Sequence, residues 1–237
     1  MNRDLGLWTN EDCALVLIDY QPEQFASVRS ETPPDLIELN TRWLAKAAKA
    51  FDVPIVLSTI GVESGINEPT VSAIAAELEG IEPIDRSSTN SFESEAFRDA
   101  VAGTGRRRLI FGALQTEVCL AFAVIEALKA GYEAQFVTDA VGGRSDVAHK
   151  TAIERLSLAG AVPNTALGVV VEWFRDWAGP LAEPARRVTG WYLAEVPKVT
   201  DTVGVSEGEA ALAQAALAGQ MPSRLQGNVR VTTGMGG

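Results

Sequence analysis

The stretch Leu109–Leu128, LIFGALQTEVCLAFAVIEAL, constrains the fold of this chain more than any other. It opens as an uncharged apolar run, LIFGAL, which suits a strand buried on both faces of a parallel sheet. The run breaks at Gln115-Thr116-Glu117 and resumes with Val118, Phe122, Ile125 and Lys129 at three- and four-residue spacing. Gly131 stands where such a helix would end. Cys119 is therefore expected in the first turn of a buried helix, just past the carboxyl end of a central strand. Ligands bind at that edge of open α/β sheets. The free N–H groups and partial positive charge of a helix N-terminus predict a lowered thiol pKa there and a nucleophilic thiolate.

The rest of the chain repeats this alternation. Cys13–Tyr20 (CALVLIDY) reads as a buried strand ending on Asp19, and Gln21-Pro22 breaks it. Residues 23–34 read as an irregular loop. A helix from Asp35 carries Leu36, Leu39, Trp43, Ala47 and Phe51 on one face. PIVLSTI (54–60) is the second strand, Thr70–Leu78 a short helix, and Ile81–Asp85 a weak third strand with Arg86 directly after it. A helix is expected from Asn90 or Ser91, with Glu93 completing a capping-box-like start. A strand at Glu133–Thr138, a helix from Ser145 or Asp146 to Ala159, and a last strand and helix within Thr165–Trp177 follow.

About six such alternations predict a three-layer αβα sandwich with a mainly parallel sheet over residues 1–180. Gly179-Pro180 closes it. Residues 181–237 read as a C-terminal arm with a strand at VTGWYLAEV (188–196). An Ala-rich helix announced by Ser206 and Glu209 follows, and the arm is expected to pack on the domain or on a neighbouring subunit.

Composition narrows the function. The net charge of −11 and the lack of any basic run beyond Arg106-Arg107-Arg108 disfavour nucleic acid as a partner. Acidic residues flank the first apolar run and no stretch approaches spanning length, so neither a signal peptide nor a membrane partner is expected. Two cysteines, Cys13 and Cys119, point to a reducing, cytoplasmic compartment rather than a disulfide framework. His149 is the only histidine, so one chain cannot build a multi-histidine metal site. No metal or cofactor is expected. With no Gly-x-Ser-x-Gly, a serine triad through His149 is a poor alternative, and the glycine pairs make no dinucleotide fingerprint.

Three residues fall where three strands end: Asp19 after the first, Arg86 after the third and Cys119 after the fourth. A parallel sheet delivers such ends to one edge. The chemistry is complementary, because a thiol nucleophile needs a base, a nearby positive charge and donors for the oxyanion it creates.

The order of LVLIDYQ, IDRSSTNSFESEAF and LIFGALQTEVCLAFAVIEALKAGYEAQFVTDAVGG, with the EWFRDW end, resembles the isochorismatase-like cysteine hydrolases. Arg86, where most relatives have lysine, is similar to the YcaC-like branch. The resemblance covers roughly residues 10–178 and implies a Rossmann-like sheet. It makes Cys119 the nucleophile and Asp19 the general base that later acts as acid. It also implies a cis Leu114–Gln115 peptide, with the N–H groups of Gln115 and Cys119 as the oxyanion hole, and homo-oligomers. The implied reaction is metal-independent hydrolysis of a C–N bond in a small amide or carbamoyl-type substrate. Arginine holds its proton, so Arg86 can supply only fixed charge and a forked donor.

Plainer readings stand beside these. Cys119 alone could be a small buried hydrophobe, as Cys13 within its strand is expected to be. Asp19 alone could be a turn residue and Arg86 a paired surface charge. His149 reads as an interface or partly buried residue. Tyr20, Phe25 and Trp173 line a pocket or belong to the core. A binding scaffold without turnover, or a redox sensor acting through Cys119, remain the rival functions.

Overall fold

The computed structural model describes residues 6–200, in which six strands form one sheet. They are β1 (Cys13–Ile18), β2 (Ile55–Ile60), β3 (Ile84–Arg86), β4 (Arg108–Ala113), β5 (Glu133–Val137) and β6 (Val162–Asn164). Their order is β3-β2-β1-β4-β5-β6 and every pairing is parallel. The helices are α1 (Pro22–Ala26), α2 (Pro34–Ala50), α3 (Ser72–Glu77), α4 (Glu95–Gly103), α5 (Ala121–Lys129), α6 (Asp146–Ala159), α7 (Ala166–Phe174) and α8 (Ala182–Thr200).

Alternate residues of β1 show why the strand carries no polar face. Cys13, Leu15 and Leu17 join one core with Trp43, Phe51 and Trp173, drawn from α2 and its end and from α7. Ala14, Val16 and Ile18 join a second core with Phe97, Val124 and Leu156, from α4, α5 and α6. Both faces are covered, so a period-two signal has nothing to report. Two cores, one on each side of a single sheet, make the three-layer αβα sandwich.

Several boundaries differ from the sequence reading. Residues 23–34 are not wholly irregular, because Pro22 opens the short helix α1. Arg86 lies within β3 rather than after it. The segment at Asn90 is a 3₁₀ turn capped by the Asn90 side chain, and α4 starts only at Glu95, capped by Ser94. The last strand precedes Thr165, whose hydroxyl caps α7 by accepting from the Gly168 N–H at 3.2 Å. On α5 the fully buried face is Ala121, Ala123, Val124 and Ala127, whereas Phe122 and Ile125 are half-buried.

The expected strand at 188–196 is a correction: this segment lies inside the helix α8. Its β-branched and aromatic residues mimic a strand, but Ala185, Val188 and Tyr192 recur at three- and four-residue spacing and face α2. The Tyr192 ring stacks on Trp43 at 3.8 Å, and its hydroxyl donates to Asn40 Oδ1 at 2.8 Å. Tertiary packing overrode the local β preference. The expected Ala-rich helix from Ser206 lies outside the described residues.

Candidate active site

The strand order reverses between β1 and β4, and that crevice is where an open parallel sheet binds ligands. Asp19 follows the last residue of β1 directly. Its backbone takes φ 61°, a left-handed value uncommon for a residue with a side chain, and its N–H donates to Ser58 O at 2.9 Å. The Asp19 carboxylate is fully buried. Arg86 reaches it from β3, two strands away, by crossing the end of β2.

On the way, Arg86 Nη1 donates to Thr59 O at 2.8 Å and to Ser58 Oγ at 3.3 Å. The guanidinium then meets the carboxylate as a fork, Nη1 to Oδ1 at 2.7 Å and Nη2 to Oδ2 at 2.8 Å. Arg86 is 6% exposed and Asp19 0%. Such a buried, bidentate pair fixes both side chains in register.

Beyond β4 the chain passes the Leu114–Gln115 peptide, which is cis, and enters a wide π-turn at Thr116–Leu120 that leads into α5. Cys119 sits in this turn and is 5% exposed. π-turns are rare and recur at functional sites. The Cys119 thiol is pushed up to about 12. Burial is the main cause, followed by the neighbouring Asp19 carboxylate acting as charge and hydrogen-bond acceptor. The Arg86 charge and the Gln115 backbone N–H oppose the shift. The lowered thiol pKa expected from the helix start is therefore corrected, since desolvation and an adjacent anion outweigh the turn's partial charge.

Asp19, Arg86 and Cys119 thus come together from separate strand ends, with the Gln115 backbone near enough to the sulfur to oppose its rise. The Gln115 side chain turns the other way, its Nε2 donating to Gln24 O at 2.8 Å and Ser27 Oγ at 2.6 Å, which ties α1 and the residue after it to the cysteine turn. Ser58, Thr59 and Asp85 are supporting residues that the sequence reading passed over. Asp85 accepts from Thr59 Oγ1 at 2.9 Å and from the N–H groups of Val62 and Glu63. The visible signal was two hydroxyl residues at the carboxyl end of the otherwise apolar IVLSTI.

Trp173 belongs to the core, where its Nε1 donates to Cys13 Sγ at 3.0 Å. Tyr20 is buried and donates to Ala140 O at 2.5 Å. Gly112 makes room for that hydroxyl, which a Cβ would overlap. His149 is buried rather than partly buried, at 1% exposure. No cluster of three or more His, Cys, Asp or Glu suited to a metal ion occurs among the described residues, and none of their helices is long and apolar enough to cross a membrane.

An open parallel sheet with a carboxylate, a guanidinium and a thiol gathered at its switch point defines the class: an α/β protein with a cysteine site at the strand ends. Comparison with known proteins narrows it. The isochorismatase domain matches residues 13–166. The probable hydrolase YcaC of Escherichia coli is 36% identical over 167 residues, 70% of this chain and 79% of that protein. Isochorismatase domain-containing protein 2 of Danio rerio is 27% identical, over 74% of this chain and 86% of that one. YcaC from Pseudomonas aeruginosa, solved with hexane-2,5-diol and covalent acrylamide, superposes with a TM-score of 0.76 at 29% identity, covering 86% of this chain and 100% of that one. The E. coli YcaC structure, described as an octameric hydrolase of unknown specificity, gives 0.76 at 30% identity, covering 85% and 98%. The chain belongs to the isochorismatase family, in its YcaC-like branch, and is a hydrolase.

Proposed function

We propose that the chain is a metal-independent cysteine hydrolase that cleaves the C–N bond of a small amide or carbamoyl-type substrate. The observation that carries this reading is the gathering, at one edge of the sheet, of a buried Cys119 thiol and the Asp19 carboxylate that Arg86 holds by both oxygens, near enough for the carboxylate to raise the thiol. Cys119 Sγ attacks the carbonyl carbon while its proton passes to Asp19. A thiol raised to about 12 rests protonated beside that base, so the sulfur becomes nucleophilic only as the proton leaves.

The oxyanion is met by the N–H groups of Gln115 and Cys119. Collapse expels ammonia or an amine, which takes the proton from Asp19. Water, deprotonated by Asp19, then hydrolyses the thioester and the proton returns to the sulfur. Arg86 contributes fixed charge and orientation throughout. A redox sensor would need an exposed thiolate near neutral pH, and a buried, raised thiol gives that rival no support.

The covalent acrylamide in the Pseudomonas relative is in keeping with a nucleophile in this fold. Likeness to the octameric E. coli relative supports a homo-oligomer, and two free cysteines support the reading of a cytoplasmic protein acting on a small molecule. The test is ammonia release from a panel of small primary amides and carbamoyl compounds, with rapid-quench intact-mass detection of an acyl adduct. Turnover that is lost in Cys119→Ser together with the adduct is the expected result. Turnover unchanged in Cys119→Ser would overturn the reading.

A further inference from the structure

We propose that His149 is a positioning residue that holds the cysteine turn through the hydroxyl of Thr116, an assignment that rests on reading Cys119 as the nucleophile. The π-turn has to present one sulfur to one carboxylate, and its first residue is its anchor. Thr116 is fully buried and is fastened twice. Its N–H donates to Gly142 O at 2.9 Å, beside the isolated bridge between Leu114 and Gly142. Its hydroxyl lies 2.9 Å from His149 Nδ1.

His149 is itself held firmly. It sits in the first turn of α6, its N–H donates to Ser145 O at 3.0 Å, and the Ser145 hydroxyl caps the helix. Gly143 lies against His149 and against Glu117, the residue after Thr116. A Cβ there would come within 2.7 Å of Glu117 Oε2 and 3.0 Å of His149 Cβ, so the glycine is what lets α6 approach the turn. Glu117, the residue after Thr116, completes the fastening by accepting from Arg144 N–H at 3.0 Å. The chain of contacts therefore runs from the α6 cap through His149 and Thr116 to the turn that carries Cys119.

Nothing in this chain of contacts requires the imidazole to exchange a proton. Neutral imidazole and threonine hydroxyl each donate and accept, so the pair stays bonded in either tautomer. An apolar side chain at 149 would leave the Thr116 hydroxyl buried without a partner, and the turn would shift to find one.

The test is the second-order rate of Cys119 alkylation by iodoacetamide, read by peptide mass spectrometry across neutral pH, with Cys13 in the same protein as internal reference. His149→Phe and Thr116→Val are each expected to slow Cys119 about tenfold, since displacements near 1 Å carry penalties of that size or larger. Their combination should slow it no further, as coupled residues are non-additive. His149→Asn and Thr116→Ser, which restore a polar partner, should recover most of the rate.

Rates in the Phe and Val variants within twofold of the unaltered protein would overturn the proposal. So would Asn and Ser variants as slow as the apolar ones, or a parallel rise in Cys13 labelling that signals general loosening. Failure of the nucleophile reading shows separately: Cys119 would label no faster than Cys13 before any substitution, and the proposal would fall with it.

Discussion

At Cys119 the thiol's environment divides into opposing contributions that a single substitution can separate. The Asp19 carboxylate raises the thiol as charge and as hydrogen-bond acceptor, whereas Arg86 lowers it. Asp19→Asn removes the anion and frees Arg86 to act on the sulfur, so both changes push the thiol down. In a Cys13→Ser background, thiolate absorbance should therefore appear at lower pH in Asp19→Asn than in its parent. Hydrolysis should vanish despite the more available thiolate, because the proposed base is gone. An unmoved titration would mean that burial alone holds the thiol up. The gathering of these residues was legible from sequence because each lies at or just past the carboxyl end of a strand, in a chain with two cysteines and one histidine. The thiol's direction was not, since a helix start is a local signal and desolvation by neighbours from other strands is not.

At the scale of elements, α6 brings a buried imidazole against the cysteine turn, and burial lowers its pKa from the ordinary value of 6.5. Glu31, Glu117 and Asp146 push it back up, and Lys150 adds to the lowering. Above the unfolded value both states are neutral and the stability is fully present. As pH falls below about 6.5, the unfolded chain takes the proton first and stability declines, by at most ~1.4 kcal/mol per pH unit for one proton. Denaturant unfolding of the unaltered protein should show this component between neutral and mildly acid pH. His149→Asn should lack it while sharing the carboxylate-driven loss at lower pH. Equal slopes would mean that the imidazole protonates as readily when folded. Elements that pack by pattern, such as α2 and β4, were readable in the sequence. The 3₁₀ turn at Ser91–Glu93 and the π-turn were not, because their lengths are set by the neighbours they must reach.

For the whole molecule, α8 is the element that sequence reasoning placed wrongly, and its packing decides where the chain can be cut. Removing residues 181–237 would strip Tyr192 from Trp43 and uncover the core that Ala185 and Val188 complete. A loss of roughly 3–6 kcal/mol in unfolding free energy is expected, from about 1.5–3 kcal/mol for each large side chain uncovered. The expected clasp of residues 181–237 on a neighbouring subunit is tested by the same deletion: the mass in solution by light scattering should fall, and an unchanged mass sinks the clasp. The sheet itself has one further lesson. β3 is three residues long and pairs with Ser58–Ile60, so Ile55–Leu57 of β2 have no strand partner on that side. Arg86 is the last residue of β3, and its guanidinium laces that short strand to a β2 carbonyl and to Asp19. The ion pair beside the cysteine is therefore also the fastening of the sheet's margin. A chain that lost it would expose a longer unpaired strand, and its first failure would be aggregation through edge-to-edge pairing with other molecules.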